Sequence, residues 1–132
     1  MSRTTVTLAK TAGFCFGVDR AVEMVYKLLE EGKEVCTLGP IIHNPQMVTE
    51  LAGRGVRIVE RPEEAAEGET LVIRSHGVER DVYDRAAALR LEVADATCPY
   101  VAKIHRIVRE ASEAGRTVLI AGDAAHQEVL GI

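Results

Sequence analysis

Three cysteines and four histidines are the residues of this 132-residue chain best suited to nucleophilic, metal-binding or proton-transfer chemistry. Five of them share one kind of position. Cys15, His43, His76, Cys98 and His126 each follow an apolar, β-rich run and precede a helix-forming one, about one strand–helix unit apart. In an open parallel sheet the carboxyl ends of the strands border the ligand crevice. Helix N-termini gather there too, with free N–H groups and partial positive charge that attract phosphate and stabilise thiolate. The other two contrast. Cys36 lies inside the run "EVCTL" and reads as a small buried hydrophobe. His105 sits in mid-helix in "VAKIHRIV" and reads as a partly exposed helix residue.

Taken singly, each of the five has a plain structural reading, such as a helix cap or loop residue. Together they suggest a site. Cys15 and Cys98 are far apart in sequence and no C-x-x-C pair is present, which argues against a dithiol redox motif or a zinc ribbon. Distant soft thiolates gathered at one sheet edge suit an iron–sulfur cluster. Gly13 and Gly17 would let backbone approach it, and Phe14 and Phe16 would shield it. Two cysteines are too few for a cubane, and Cys36 is badly placed to be the third. His43, His76 and His126 would donate N–H groups to a diphosphate. Glu128, on the same segment as His126, would then sit beside phosphate with a raised pKa, as a proton donor requires.

The elements that must position these residues follow from hydrophobic spacing. Strands are expected at 4–8, 34–38, 56–59, 70–74, 91–95 and 117–122. Helices are expected at 18–31, from Asn44 to about Gly53, over 79–90 and from Pro99 to before Gly115, with a short acidic turn in 61–68. Alternation of this kind predicts an α/β fold with a mainly parallel sheet. The chain stops soon after the last expected strand, where the next helix should run. That pattern suggests either completion by another chain or a longer protein.

Composition narrows the classes. Apolar residues make up 47% and charged residues 27%, ordinary for a globular protein. The net charge of −4 argues against a nucleic-acid surface. No apolar run approaches a membrane span, and "MSRTTVTLAK" lacks the apolar core of a secretory signal, so no membrane association and a cytoplasmic location are expected.

The stretches "GFCFGVDRAV", "IIHNPQMV", "IRSHGV", "DATCPYVAKIH" and "AAHQEV", in this order, resemble the LytB/IspH family of 4-hydroxy-3-methylbut-2-enyl diphosphate reductases. The resemblance implies an iron–sulfur oxidoreductase of the non-mevalonate isoprenoid route. Such an enzyme removes the substrate hydroxyl reductively to give isopentenyl and dimethylallyl diphosphate. It implies a [4Fe–4S] cluster on three cysteines, of which Cys15 and Cys98 are two. It implies a diphosphate pocket lined by His43, His76 and His126, with Glu128 on the proton path. Ferredoxin or flavodoxin would supply electrons. The implied fold has three α/β lobes: residues 1–96 would form the first, with strand 1–10 packing against a third lobe absent here, and 97–132 would begin the second. The family's third cysteine and later diphosphate contacts fall beyond residue 132, so this chain alone is expected to be inactive. The alternatives are a non-catalytic phosphate- or metal-binding module and a plain α/β domain whose cysteines take up zinc.

Overall fold

A computed structural model describes residues 5–132. Helix α1 (Phe16–Glu30) leads into β1 (Val35–Leu38), α2 (Pro45–Gly53) and β2 (Arg57–Val59). A single 3-10 turn (Pro62–Glu64) then precedes β3 (Thr70–Ile73), α3 (Arg80–Ala88), β4 (Glu92–Asp95), α4 (Pro99–Glu113) and the one-turn α5 (Gln127–Leu130). The four strands form one wholly parallel sheet in the order β2-β1-β3-β4.

The period-two alternation of the two central strands explains the layering. Val35 of β1 and Val72 of β3 face one side, where α1 and α2 bring Ala21, Val22, Val25, Leu28 and Leu51. Cys36, Leu38, Leu71 and Ile73 face the other, against Ala86 and Val82 of α3 and Ala65 after the 3-10 turn. Both central strands are buried throughout, as parallel strands covered on two faces must be. Asn44 caps α2: its side-chain oxygen accepts from the N–H groups of Gln46 and Met47 at 3.0 and 3.1 Å, and Pro45 follows at the first helical position.

The α/β reading and four of the six expected strands hold. The first and last do not. Residues 5–8 of the expected strand 4–8 make no ladder, residue 4 lies outside the described residues, and Val6 and Leu8 are exposed. Residues 117–122 are likewise unpaired, with Leu119 91% exposed. β-Branched, apolar sequence makes a segment ready to pair, but a strand also needs a neighbouring backbone. Among the described residues neither segment has one. Helix α4 is amphipathic, yet none of its residues is buried. No helix among the described residues is long and apolar enough to cross a membrane.

Candidate functional site

The topology dictates where a crevice opens. From β1 the chain moves outward to β2, and from β3 it moves outward the other way to β4, although β1 and β3 are neighbours. This reversal is a topological switch point, where the loops leaving two adjacent strands part company and leave space beyond their carboxyl ends. The loop after β1 carries His43 and the loop after β3 carries His76. Their rings meet with centroids 4.5 Å apart, tilted by 47°.

Backbone hydrogen bonds stitch three loops together beneath these rings. The Ser75 N–H and hydroxyl both approach the Ile41 carbonyl, at 3.5 and 3.3 Å. The Cys98 N–H donates to the Ser75 carbonyl at 2.9 Å, and the Ala96 N–H to the Ile73 carbonyl at 3.0 Å. The ladder between β3 and β4 thus continues past the strands and brings Cys98 beside the His76 loop. In "DATCP", Asp95 Oδ1 accepts the Thr97 N–H at 2.8 Å, turning the chain so that Cys98 becomes the N-cap of α4.

Cys15 arrives from the other direction as the N-cap of α1 and is exposed. The two thiol segments adjoin at Gly17. A Cβ built there would lie 2.6 Å from the Cys98 sulfur, so only glycine admits Cys98 over the first turn of α1. Arg20, one turn further on, donates to the Thr97 carbonyl at 3.1 Å and ties α1 to the Cys98 loop. His126 caps α5, its Nδ1 accepting the Glu128 N–H at 3.3 Å. Both His126 and Glu128 lie near enough to His76 for their charges to act on it. Burial first, then the neighbouring His43, hold His76 below the ordinary histidine range, while Glu128 pulls the other way. The His76 Nδ1 is buried without a hydrogen-bond partner.

All six candidate residues therefore lie on one rim, but not all for the expected reason. His43, His76 and Cys98 follow paired strands. Cys15 and His126 follow unpaired segments and are placed instead by the helices they cap. Glu128 is exposed, not desolvated as expected, and Phe14 and Phe16 are 40% and 62% exposed. Cys36 is fully buried between β-strand neighbours, its thiol pushed up to about 12 by burial and then by the Glu69 charge. His105 is half-buried on α4. Arg20, Arg74, Ser75 and Gln127 also shape the rim and are not among the residues expected from the sequence. Arg74, Ser75 and Gln127 stand within two residues of a singled-out histidine, whereas Arg20 lies five residues beyond Cys15.

Cys15 and Cys98 supply the right kind of donor for an iron–sulfur cluster, and the glycine cradle at Gly17 fits a close approach. The set is nevertheless incomplete for a three-cysteine cluster. Among the described residues no three His, Cys, Asp or Glu side chains gather closely enough to hold a metal ion.

The LytB protein family model matches residues 6–132. A 4-hydroxy-3-methylbut-2-enyl diphosphate reductase of Thermoanaerobacter sp. (strain X514) is 46% identical over 131 residues, covering 96% of this chain and 46% of the relative. The enzyme of that name from Geobacter sulfurreducens is 49% identical over 127 residues, covering 96% and 45%. A solved structure of (E)-4-hydroxy-3-methyl-but-2-enyl diphosphate reductase, the terminal enzyme of the non-mevalonate pathway, superposes with a TM-score of 0.82 at 44% identity, over 96% of this chain and 45% of its own. The Plasmodium falciparum reductase superposes with a TM-score of 0.87 at 29% identity, over 92% and 39%. The chain thus spans less than half the length of these relatives. With a family match from residue 6 to residue 132, and with every motif of the earlier resemblance inside it, this chain belongs to the LytB family.

Proposed function

We propose that this chain forms the substrate-diphosphate face and two of the cluster ligands of a 4-hydroxy-3-methylbut-2-enyl diphosphate reductase. The observation that carries the reading is the 4.5 Å contact of His43 and His76 at the switch point, with Cys98 hydrogen-bonded into the same loop. His43, His76 and His126 are read as donors to phosphate oxygens. Burial holds His76 below the ordinary histidine value and favours its neutral form, so an arriving anion would favour its protonation and gain a charge-assisted hydrogen bond. Glu128 is read as lying on the proton path to the leaving hydroxyl: the reaction takes two electrons and two protons, breaks the carbon–oxygen bond of the hydroxyl, makes one carbon–hydrogen bond and releases water.

Cys15 and Cys98 are read as residues that would hold two corners of a [4Fe–4S] cluster, which when bound would supply the electrons for the reduction. A ferredoxin or flavodoxin is read as the donor, and the cytoplasm as the location. The sheet through residue 96 is read as one lobe and 97–132 as part of a second; that α4 buries no residue on this sheet supports the division.

The incomplete thiol set favours one rival, a module that binds diphosphate without redox chemistry. Calorimetric titration with inorganic diphosphate, followed by anaerobic iron and sulfide reconstitution, separates the two. The reading expects diphosphate binding weakened about tenfold or more by His43→Ala. It also expects a weak, labile brown chromophore that Cys15→Ser abolishes. Binding that ignores His43→Ala removes the pocket from the account. Absence of any Cys15-dependent iron–sulfur absorbance with binding retained leaves the binding module.

A further inference from the structure

Arg74 stands at the carboxyl end of β3, two residues before His76, and its surroundings are unusual for a cation. Its side chain is half-buried, and burial is the main influence on its guanidinium, holding it below the ordinary arginine value. Arginine keeps its charge even so. Among the described residues it makes no ion pair, and the opposing charge that acts on it is the Glu60 carboxylate. Its Nε is buried without a hydrogen-bond partner. A Cβ on Gly39 would lie 2.6 Å from Nη1, so one nitrogen of the guanidinium comes close against the backbone after β1, where Gly39 adopts a φ of +68°. The polar contact it does make is with a neutral group, Nη2 donating to Gln127 Oε1 at 2.5 Å.

Gln127 lies between His126 and Glu128. The segment leading to it, 116–126, is exposed and pairs with no strand, and α5 is a single turn too short to hold itself. Something outside the segment must fix it on the rim. Val129 against Gly122 is internal to the segment, and the end of the turn approaches α4, where a Cβ on Gly131 would lie 3.4 Å from His105 Cε1 and 3.5 Å from its Nε2. The fork from Arg74 reaches the residue between the two candidate site residues.

We propose that Arg74 is a positioning residue of this site, fastening the His126–Leu130 turn to the end of β3 through Gln127 and so setting His126 and Glu128 opposite His76. Its functional consequence rests on the diphosphate reading; its structural claim does not. The residue touches no reacting atom and acts through Gln127.

Hydrogen exchange on the full chain tests it. The Glu128, Val129 and Leu130 N–H groups donate to His126 Nδ1 or its carbonyl and report on the turn. Gln127→Ala, a peripheral change that spares the core, is expected to lower their protection about tenfold and to shift the His126 imidazole resonances. Arg74→Ala should do the same. Gln127→Glu keeps an acceptor for the fork and is expected to restore both signals, a rescue that a general loss of stability would not give. Unchanged protection and unchanged His126 resonances in Gln127→Ala would overturn the proposal. Titration with inorganic diphosphate separates the two claims. If the parent chain fails to bind while the turn loosens in Gln127→Ala, the tether stands and the pocket reading falls.

Discussion

His76 is the residue on which the pocket turns, and its environment carries a pH signature. Its folded pKa lies below the unfolded value because burial disfavours imidazolium. The unfolded chain therefore takes the proton more readily, and stability from this group falls as pH drops from 7 through the ordinary histidine range of about 6.5. Urea midpoints at pH 7.5 and 5.5 should differ less in His76→Asn than in the parent; an unchanged difference would mean that His76 is solvated. The cysteines offer a second check. Cys36, fully buried with its thiol raised to about 12, should resist iodoacetamide at pH 8 until the chain unfolds, while exposed Cys15 reacts at once. Equal native rates for the two would contradict the contrast. That contrast is legible in sequence, because a thiol inside a β-rich apolar run and a thiol between glycines before a helix face different surroundings. The polar supports were not. Arg20, Arg74 and Gln127 act through contacts between segments more than 50 residues apart, which no local pattern encodes.

At the scale of elements, local chemistry decides most of the outcome. Asn44 before Pro45 specifies the start of α2, and that start fixes the loop that presents His43. Asn44→Ala should cost about 1 kcal/mol of stability by chemical denaturation, with the His43 imidazole resonance displaced. A variant as stable as the parent would show the cap to be redundant. Strand identity was legible where a partner exists. β1 and β3 read as continuous apolar runs and are the buried central strands, whereas 5–8 and 117–122 read equally well and stay unpaired. The difference is not in their residues. A ladder is a property of two segments, and the sequence of one cannot report whether the other is present.

Across the whole molecule, the sheet order makes the site. With β1 and β3 adjacent and their connections diverging, the loops after them must open a crevice, and helix N-termini must surround it. The alternation of strands and helices announces a parallel sheet but not the order of its strands, so the switch point became visible only in the fold. Exposed apolar residues flank the core at both ends: Val6, Leu8 and Phe16 before or at the start of α1, and Tyr100, Ile104, Ile107 and Leu119 on α4 and the segment after it. The most direct measurement is an NMR titration of the full chain with inorganic diphosphate, following each histidine ring. The account predicts that His43, His76 and His126 shift together with one shared dissociation constant. Separate constants for the three rings, or no shift of any of them at millimolar diphosphate, would contradict it.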